Sequence, residues 1–208
     1  MEKIITKQQT PKYIIPRIPD ELVYEVMNGK PVYYKGYKEV INQHKQLEEI
    51  MGCSTLQAIV INSILKFLYK NISDEKHLIL SNELGLHLNK KDNLSADITI
   101  YEKKKLLSER IENKYSKIPP KIIIEIDTKA DLNDFDNVMD YYQEKTKKLF
   151  NFGVEKVFWV LTKNKQIIVT EPNKPWLIKT WDKEIILFDN LKFTLNQLLI
   201  DDGIFDMI

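Results

Sequence analysis

An α/β fold, one mixed sheet flanked by helices, is the class that the sequence predicts. Three observations carry it. The patterns run helix, several strands, helix, then two more strands, an order that suits a mixed sheet with helices on its faces. The stretch KIIIEID, 121–127, has Ile122, Ile123, Ile124 and Ile126 almost uninterrupted after Pro119-Pro120, which reads as a strand buried on both faces. Neither GxGxxG nor GxxxxGK[ST] occurs, so the nucleotide-binding fingerprints of a doubly wound sheet are absent.

The elements follow in order. Residues 1–20 carry three prolines and no clear period, and read as an extended arm. ELVYEVMNGKPVYY, 21–34, reads as a hairpin turning at Asn28-Gly29. The polar stretch 37–51 reads as a surface helix. GCSTLQAIVINSILKFLYK, 52–70, opens on Ser54 or Thr55 as N-cap, and Leu56, Ile59, Val60, Ile64, Leu65 and Leu68 recur at helical spacing. HLILSNELGLHL, 77–88, reads as strand, short turn and strand. In the strand SADITIY, 95–101, Asp97, Thr99 and Tyr101 share one face and Ile98 and Ile100 the other. The basic run 103–105 marks its exit into solvent. In KIIIEID, Ile123, Glu125 and Asp127 share a face. A helix is predicted from about Asp134 to Asn151, with Gly153 as its stop. VEKVFWVLT, 154–162, and KQIIVT, 165–170, pair through a tight turn at Lys163-Asn164. The tail holds Trp176 and Trp181, short strands and a short helix around 194–200. No repeat or linker divides the chain, so residues 21–208 read as one domain.

Bulk properties exclude several classes. The chain of 208 residues is 43% hydrophobic, enough for a sizeable core, and its formal charge is only +1. Any nucleic-acid contact must therefore come from a local patch. The single cysteine, Cys53, permits no internal disulfide. With no apolar stretch of membrane-spanning length and no signal-peptide core, the expectation is a cytoplasmic protein without membrane contact. His44, His77 and His87 sit apart with no motif around them, and no Cys/His cluster supports zinc.

Three features carry the chemistry: Asp97 in an apolar strand, Glu125 near the end of another, and Lys145. On the predicted helix, Phe135, Val138, Met139, Tyr142, Thr146, Leu149 and Phe150 form one stripe. Lys145 falls at its border, where it either snorkels outward or meets acids inside. Two acids and a lysine suit Mg²⁺, which binds through one or two carboxylates together with waters and phosphate oxygens. Strand-end acids paired with surface lysines are the competing reading for Glu125 and Asp127. Lys103, Lys104, Lys147 and Lys148 are solvated charge by default, with phosphate contact as the functional alternative.

In their order, SADITIY, PPKIIIEID and EKTKKLFNFGVEKVFW resemble the PD-(D/E)XK nuclease superfamily, in particular the Uma-two family. The resemblance runs from about residue 21 to about residue 170. That family reads Pro-Asp, then an apolar strand ending in Glu, then a helix lysine eight residues before a Gly-Val strand entry. Ala96-Asp97, Glu125 and Lys145 before GVEKVFW occupy those places. Ala96 replaces the proline, Asp127 stands where a superfamily lysine is often found, Gln57 where the family often has His, and Tyr141 where an Asp is common. The resemblance implies a restriction-endonuclease-like fold and a DNA endonuclease dependent on Mg²⁺, with Mn²⁺ as a substitute. In that reading Asp97 and Glu125 hold the metal with the Ile126 carbonyl, and Lys145 positions the attacking water or offsets charge. Asp127 and Gln57 are additional candidates, and a homodimer follows by analogy. The alternative is a nuclease-fold protein that has lost catalysis and binds nucleic acid or a protein partner.

Overall fold

Asn28 (φ 54°) and Gly29 (φ 74°) both adopt the left-handed backbone that a two-residue hairpin turn demands. They join β1 (Val23–Met27) to β2 (Lys30–Tyr33) as predicted. The structure, a computed structural model, describes residues 18–188 and 190–207, so nearly all of the expected arm over 1–20 lies outside the described residues. The surface helix expected over 37–51 is divided into α1 (Tyr37–Ile41) and α2 (Glu48–Met51). The intervening NQHKQ has no apolar face to hold a continuous helix on the core, and Gln43 breaks it with φ 60°. Ser54 caps α3 (Thr55–Asn71), its Oγ accepting from the Gln57 amide at 3.1 Å. Val60, Ile64 and Leu68 of α3 are fully buried.

The strand, turn and strand expected over 77–88 are one long strand, β3 (His77–Asn89), antiparallel to β4 (Asp92–Glu102). Asn82 and Glu83 (φ 76° and 52°) form a bulge rather than a turn. Pairing stops at Ser81↔Ile98 and resumes at Leu84↔Ala96, so both residues oppose Asp97 alone. The basic run 103–105 forms a short helix, α4 (Lys103–Leu106). β5 (Ile122–Ile126) is buried at every position. α5 (Val138–Phe152) starts later than predicted because Asn137 captures the Met139 and Asp140 amides at 2.8 and 3.1 Å. It ends, as predicted, at Gly153 (φ 115°). β6 (Lys156–Leu161), β7 (Gln166–Thr170) and β8 (Leu177–Thr180) follow, then β9 (Ile185–Phe188), β10 (Leu191–Phe193) and α6 (Leu195–Asp201).

One eight-stranded sheet runs β2-β1-β4-β5-β6-β7-β8, with β3 paired to β4, and β9 and β10 form a separate ribbon. Only β5 and β6 are parallel among the paired strands, and α5 is the crossover between them. α3 and α6 cover one face, over Ile98, Ile100, Ile122, Ile124 and Ile126. α5 covers the other, over Ile123 and Trp159. The mixed α/β class is therefore the fold observed. No helix among the described residues is long and apolar enough to cross a membrane.

Candidate functional site

β3 lines one edge of β4 throughout. On the other edge β1 pairs at Asn93 and β5 pairs from Ile98 to Ile100. Between these partners the sheet forks, and Asp97 stands at the fork. A backbone amide there loses its strand neighbour and must find another acceptor. Carboxylates supply it: Glu25 Oε1 accepts from the Ser95 amide at 2.9 Å, and Asp97 Oδ2 accepts from the Ile126 amide at 2.7 Å. The core also changes sides here. Leu94 and Ala96 pack in the cluster under α5, whereas Ile98 and Ile100 pack in the cluster under α3. This switch coincides with the bulge opposite Asp97, so strict alternation along 95–101 does not hold at that residue.

Extending the β4–β5 register one step beyond Ile98↔Ile124 sets Asp97 across from Glu125. Lys145 reaches the same region from α5. Its Nζ lies 2.7 Å from Glu25 Oε1 and 3.0 Å from Glu125 Oε1. The ammonium is wholly buried, with the rings of Tyr24, Tyr141 and Trp159 centred 5.7–6.0 Å away. Lys145 thus lies inside the packed face, not at its border, while the stripe residue Val138 is 43% exposed. Carboxylates on the sheet beneath α5 give the lysine partners that make this burial tolerable.

Two of the acids are held in unusual states. Burial pushes the Glu125 carboxyl up to about 8 against the opposing pull of Lys145, and the neighbouring Asp97 charge adds to the rise. Burial likewise pushes Asp97 up to about 6, against the hydrogen bond from the Ile126 amide. For Lys145 burial acts downward, but the Glu125 and Glu25 carboxylates outweigh it and hold the ammonium well above its ordinary value. Glu125 Oε1 touches Lys145 as an ion pair, yet no donor is aligned on it for a hydrogen bond. Glu25 and Glu125 therefore share one buried ammonium whose charge also bears on Asp97, and Glu125 Oε1 is left without an aligned donor.

Glu25 and Tyr141 are the members that the sequence reading passed over. Tyr141 donates its hydroxyl to Glu25 Oε2 at 3.0 Å. The signal for Glu25 was present: it alternates with Val23 and Met27 on a strand, an acid on the inward face. Tyr141 stands where the family pattern has an acid, and here it is fully buried.

The remaining candidates are placed as follows. The Ile126 carbonyl accepts from Gln57 Nε2 at 2.7 Å, so Gln57 braces that carbonyl from α3. Asp127 does not continue the face of Glu125. It leaves the strand with φ 56°, and its two oxygens accept from the Thr162 amide (2.9 Å) and hydroxyl (2.6 Å), tying the end of β5 to the β6–β7 turn. Lys103 donates to the Asp74 carbonyl at 2.8 Å, and Lys104 is exposed beside it at the far end of β4. Lys148 pairs with Asp92 at 2.7 Å, and Lys147 is exposed on α5.

A cleft of about 440 Å³ opens beside the fork, lined by Asp97, Gln57, Ser81, Glu83 and Lys129 among others. Of Asp97, Glu125 and Lys145, only Asp97 lines it. Among the described residues no group of three or more His, Cys, Asp and Glu side chains forms a metal cage. The donors on offer are two desolvated carboxylates and a carbonyl. These are hard oxygens, the donor type that suits Mg²⁺, which keeps waters and needs few protein ligands.

No family model matches this chain, and no curated protein matches it. Among solved structures it is similar to a crystal structure from Anabaena variabilis described as a "putative nuclease belonging to DUF820". The TM-score is 0.62 at 11% identity, over 85% of this chain and 89% of that one. At this identity the likeness shows a shared fold across nearly the whole of both chains.

Proposed function

We propose that this protein is a nuclease, a divalent-metal-dependent phosphodiesterase acting on DNA. The observation that carries the reading is the pair of desolvated carboxylates, Asp97 and Glu125, at the fork of the sheet, with the Asp97 charge bearing on Glu125 and Lys145 paired to Glu125. The shared fold with a protein described as a nuclease supports it. Asp97, Glu125 and the Ile126 carbonyl would hold the ion. Bound there, Mg²⁺ would supply Lewis-acid stabilisation of phosphoryl oxygens and acidify a water.

The chain's own residues do the rest. Asp97 presents its carboxylate to the cleft while its Oδ2 is fixed by the Ile126 amide. Gln57 fixes the Ile126 carbonyl from the other side. Lys145 works against the neutralisation of Glu125 by burial and stays protonated, because Glu25 and Glu125 both favour the ammonium. Tyr141 and Ser95 orient Glu25, and so orient Lys145. Charge-compensated carboxylates held rigidly in this way meet the requirement for preorganised electrostatics.

Nicking of supercoiled plasmid with Mg²⁺ or Mn²⁺ tests the reading, comparing wild type with Asp97→Asn and Glu125→Gln at equal folded concentration. Metal-dependent nicking abolished by both substitutions is the expected result. Nicking that survives both would place the chemistry elsewhere. A second reading, a nuclease-fold binder without catalysis, draws on the sealing of Glu125 (2% exposed) and Lys145 (0%) from the cleft. It predicts no cleavage by wild type under any divalent ion, with DNA or protein binding retained.

A further inference from the structure

We propose that Lys129 is the residue that meets a substrate phosphate in the Asp97 cleft; this rests on the nuclease reading above. A phosphodiester entering the cleft needs a cation it can reach. Lys145 does not meet that need, being fully enclosed and already shared by two carboxylates. Lys103, Lys104, Lys147 and Lys148 do not line the cleft. Lys129 is the one basic side chain among the described residues that do.

Its placement is built by the chain around it. The Lys129 carbonyl accepts from the Lys35 amide at 2.6 Å, and the Asp131 amide donates to the Tyr33 carbonyl at 2.7 Å. Tyr34 and Ala130 bridge between them, so the segment after β5 is pinned along the end of β2. The side chain then crosses the cleft mouth. Its ammonium donates to the Met51 carbonyl at 3.0 Å and pairs with the Glu83 carboxylate on the β3 bulge. The Lys129 side chain is 14% exposed and that of Glu83 34%. The ammonium is thus held at the rim, partly desolvated and within reach of solvent. Its charge also bears on Asp97, which it stabilises in the ionised form. An incoming phosphate would take the place of the Glu83 carboxylate on Lys129, so that Lys129 stays paired while Glu83, 34% exposed, is released to solvent. The Met51 carbonyl keeps the ammonium aimed during that exchange.

A lysine that contacts phosphate contributes about one unit to the slope of log Kobs against log salt. The test is fluorescence anisotropy of a short fluorescein-labelled duplex DNA across a salt series, with Ca²⁺ replacing Mg²⁺. Lys129→Gln is expected to reduce the slope by about 0.9, and Lys129→Arg to keep it. Lys66→Gln, which alters a surface pair with Asp202 away from the cleft, is expected to leave it unchanged. Glu83→Gln is expected to tighten binding, and that gain should vanish in the Lys129→Gln background. An unchanged slope in folded Lys129→Gln overturns the assignment and leaves the nuclease reading standing. Wild type that neither binds nor cleaves DNA overturns the nuclease reading, and this inference falls with it.

Discussion

Replacing Glu25 with alanine tests whether the buried charge cluster is the organising centre of this fold. The substitution removes the acceptor of four donors at once: Lys145 Nζ at 2.7 Å, the Tyr141 hydroxyl at 3.0 Å, and the Ser95 amide and hydroxyl at 2.9 and 3.2 Å. Lys145 keeps Glu125, but Ser95 loses the acceptor that replaces a strand partner at the fork. Removing one partner of a buried ion pair costs about 3–5 kcal/mol, and Lys145 is left only with the Glu125 oxygen, on which it is not aligned for a hydrogen bond. An orphaned hydroxyl adds about 1 kcal/mol or more. The expected loss is therefore about 4–6 kcal/mol. At about 2–4 °C per kcal/mol for a chain of this size, Tm should fall by roughly 8–24 °C. Urea denaturation followed by tryptophan fluorescence provides the assay, with the shift expected in midpoint at constant m-value. The control is Lys114→Ala, whose pair with Glu112 is 73% and 44% exposed and should contribute under about 1 kcal/mol. A loss below about 1 kcal/mol for Glu25→Ala would mean that Lys145 finds water or another partner readily, and the enclosed cluster would not exist in solution.

Other expectations follow from the same geometry. Because the Glu125 carboxyl is raised from 4.5 to about 8, its protonated form is the one the fold favours, and its stabilisation is present below the ordinary carboxylate range and lost as pH rises toward 8. In EDTA, wild type should lose on the order of 3 kcal/mol relative to Glu125→Gln between pH 5 and pH 8, measured by urea unfolding at each pH; parallel profiles would refute the raised carboxyl. Asp127→Asn should keep plasmid nicking near the wild-type rate while lowering stability by about 1 kcal/mol, since Asp127 is bonded to Thr162; loss of nicking at unchanged stability would return Asp127 to the metal site. Gly153→Ala should destabilise by roughly 1–2 kcal/mol, because φ is 115° and the added Cβ would lie 3.1 Å from Pro119; a thermal melt unchanged from wild type would contradict it.

Local chemistry made much of the fold legible in the sequence. Asn28-Gly29, the Ser54 cap, the apolar run of β5 and the Gly153 stop each depend on neighbours within a few residues, so the linear text contains their cause. That Asp97, Glu125 and Lys145 are unusual residues for their apolar surroundings could be read from residue types in order. Their arrangement could not. Whether SNE, 81–83, is a turn or a bulge depends on β4 resuming its pairing beyond Asp97. Whether Lys145 snorkels or is enclosed depends on Glu25, which lies 120 residues away in sequence. A helix period assigns a face from the helix's own composition alone, and charge compensation from the sheet overrode it. The sequence by itself determined most of the strands and helices and which residues are chemically unusual. The tertiary structure alone decided which of those residues share a dry interior and which meet the cleft, because burial and charge pairing are properties of contacts between distant segments.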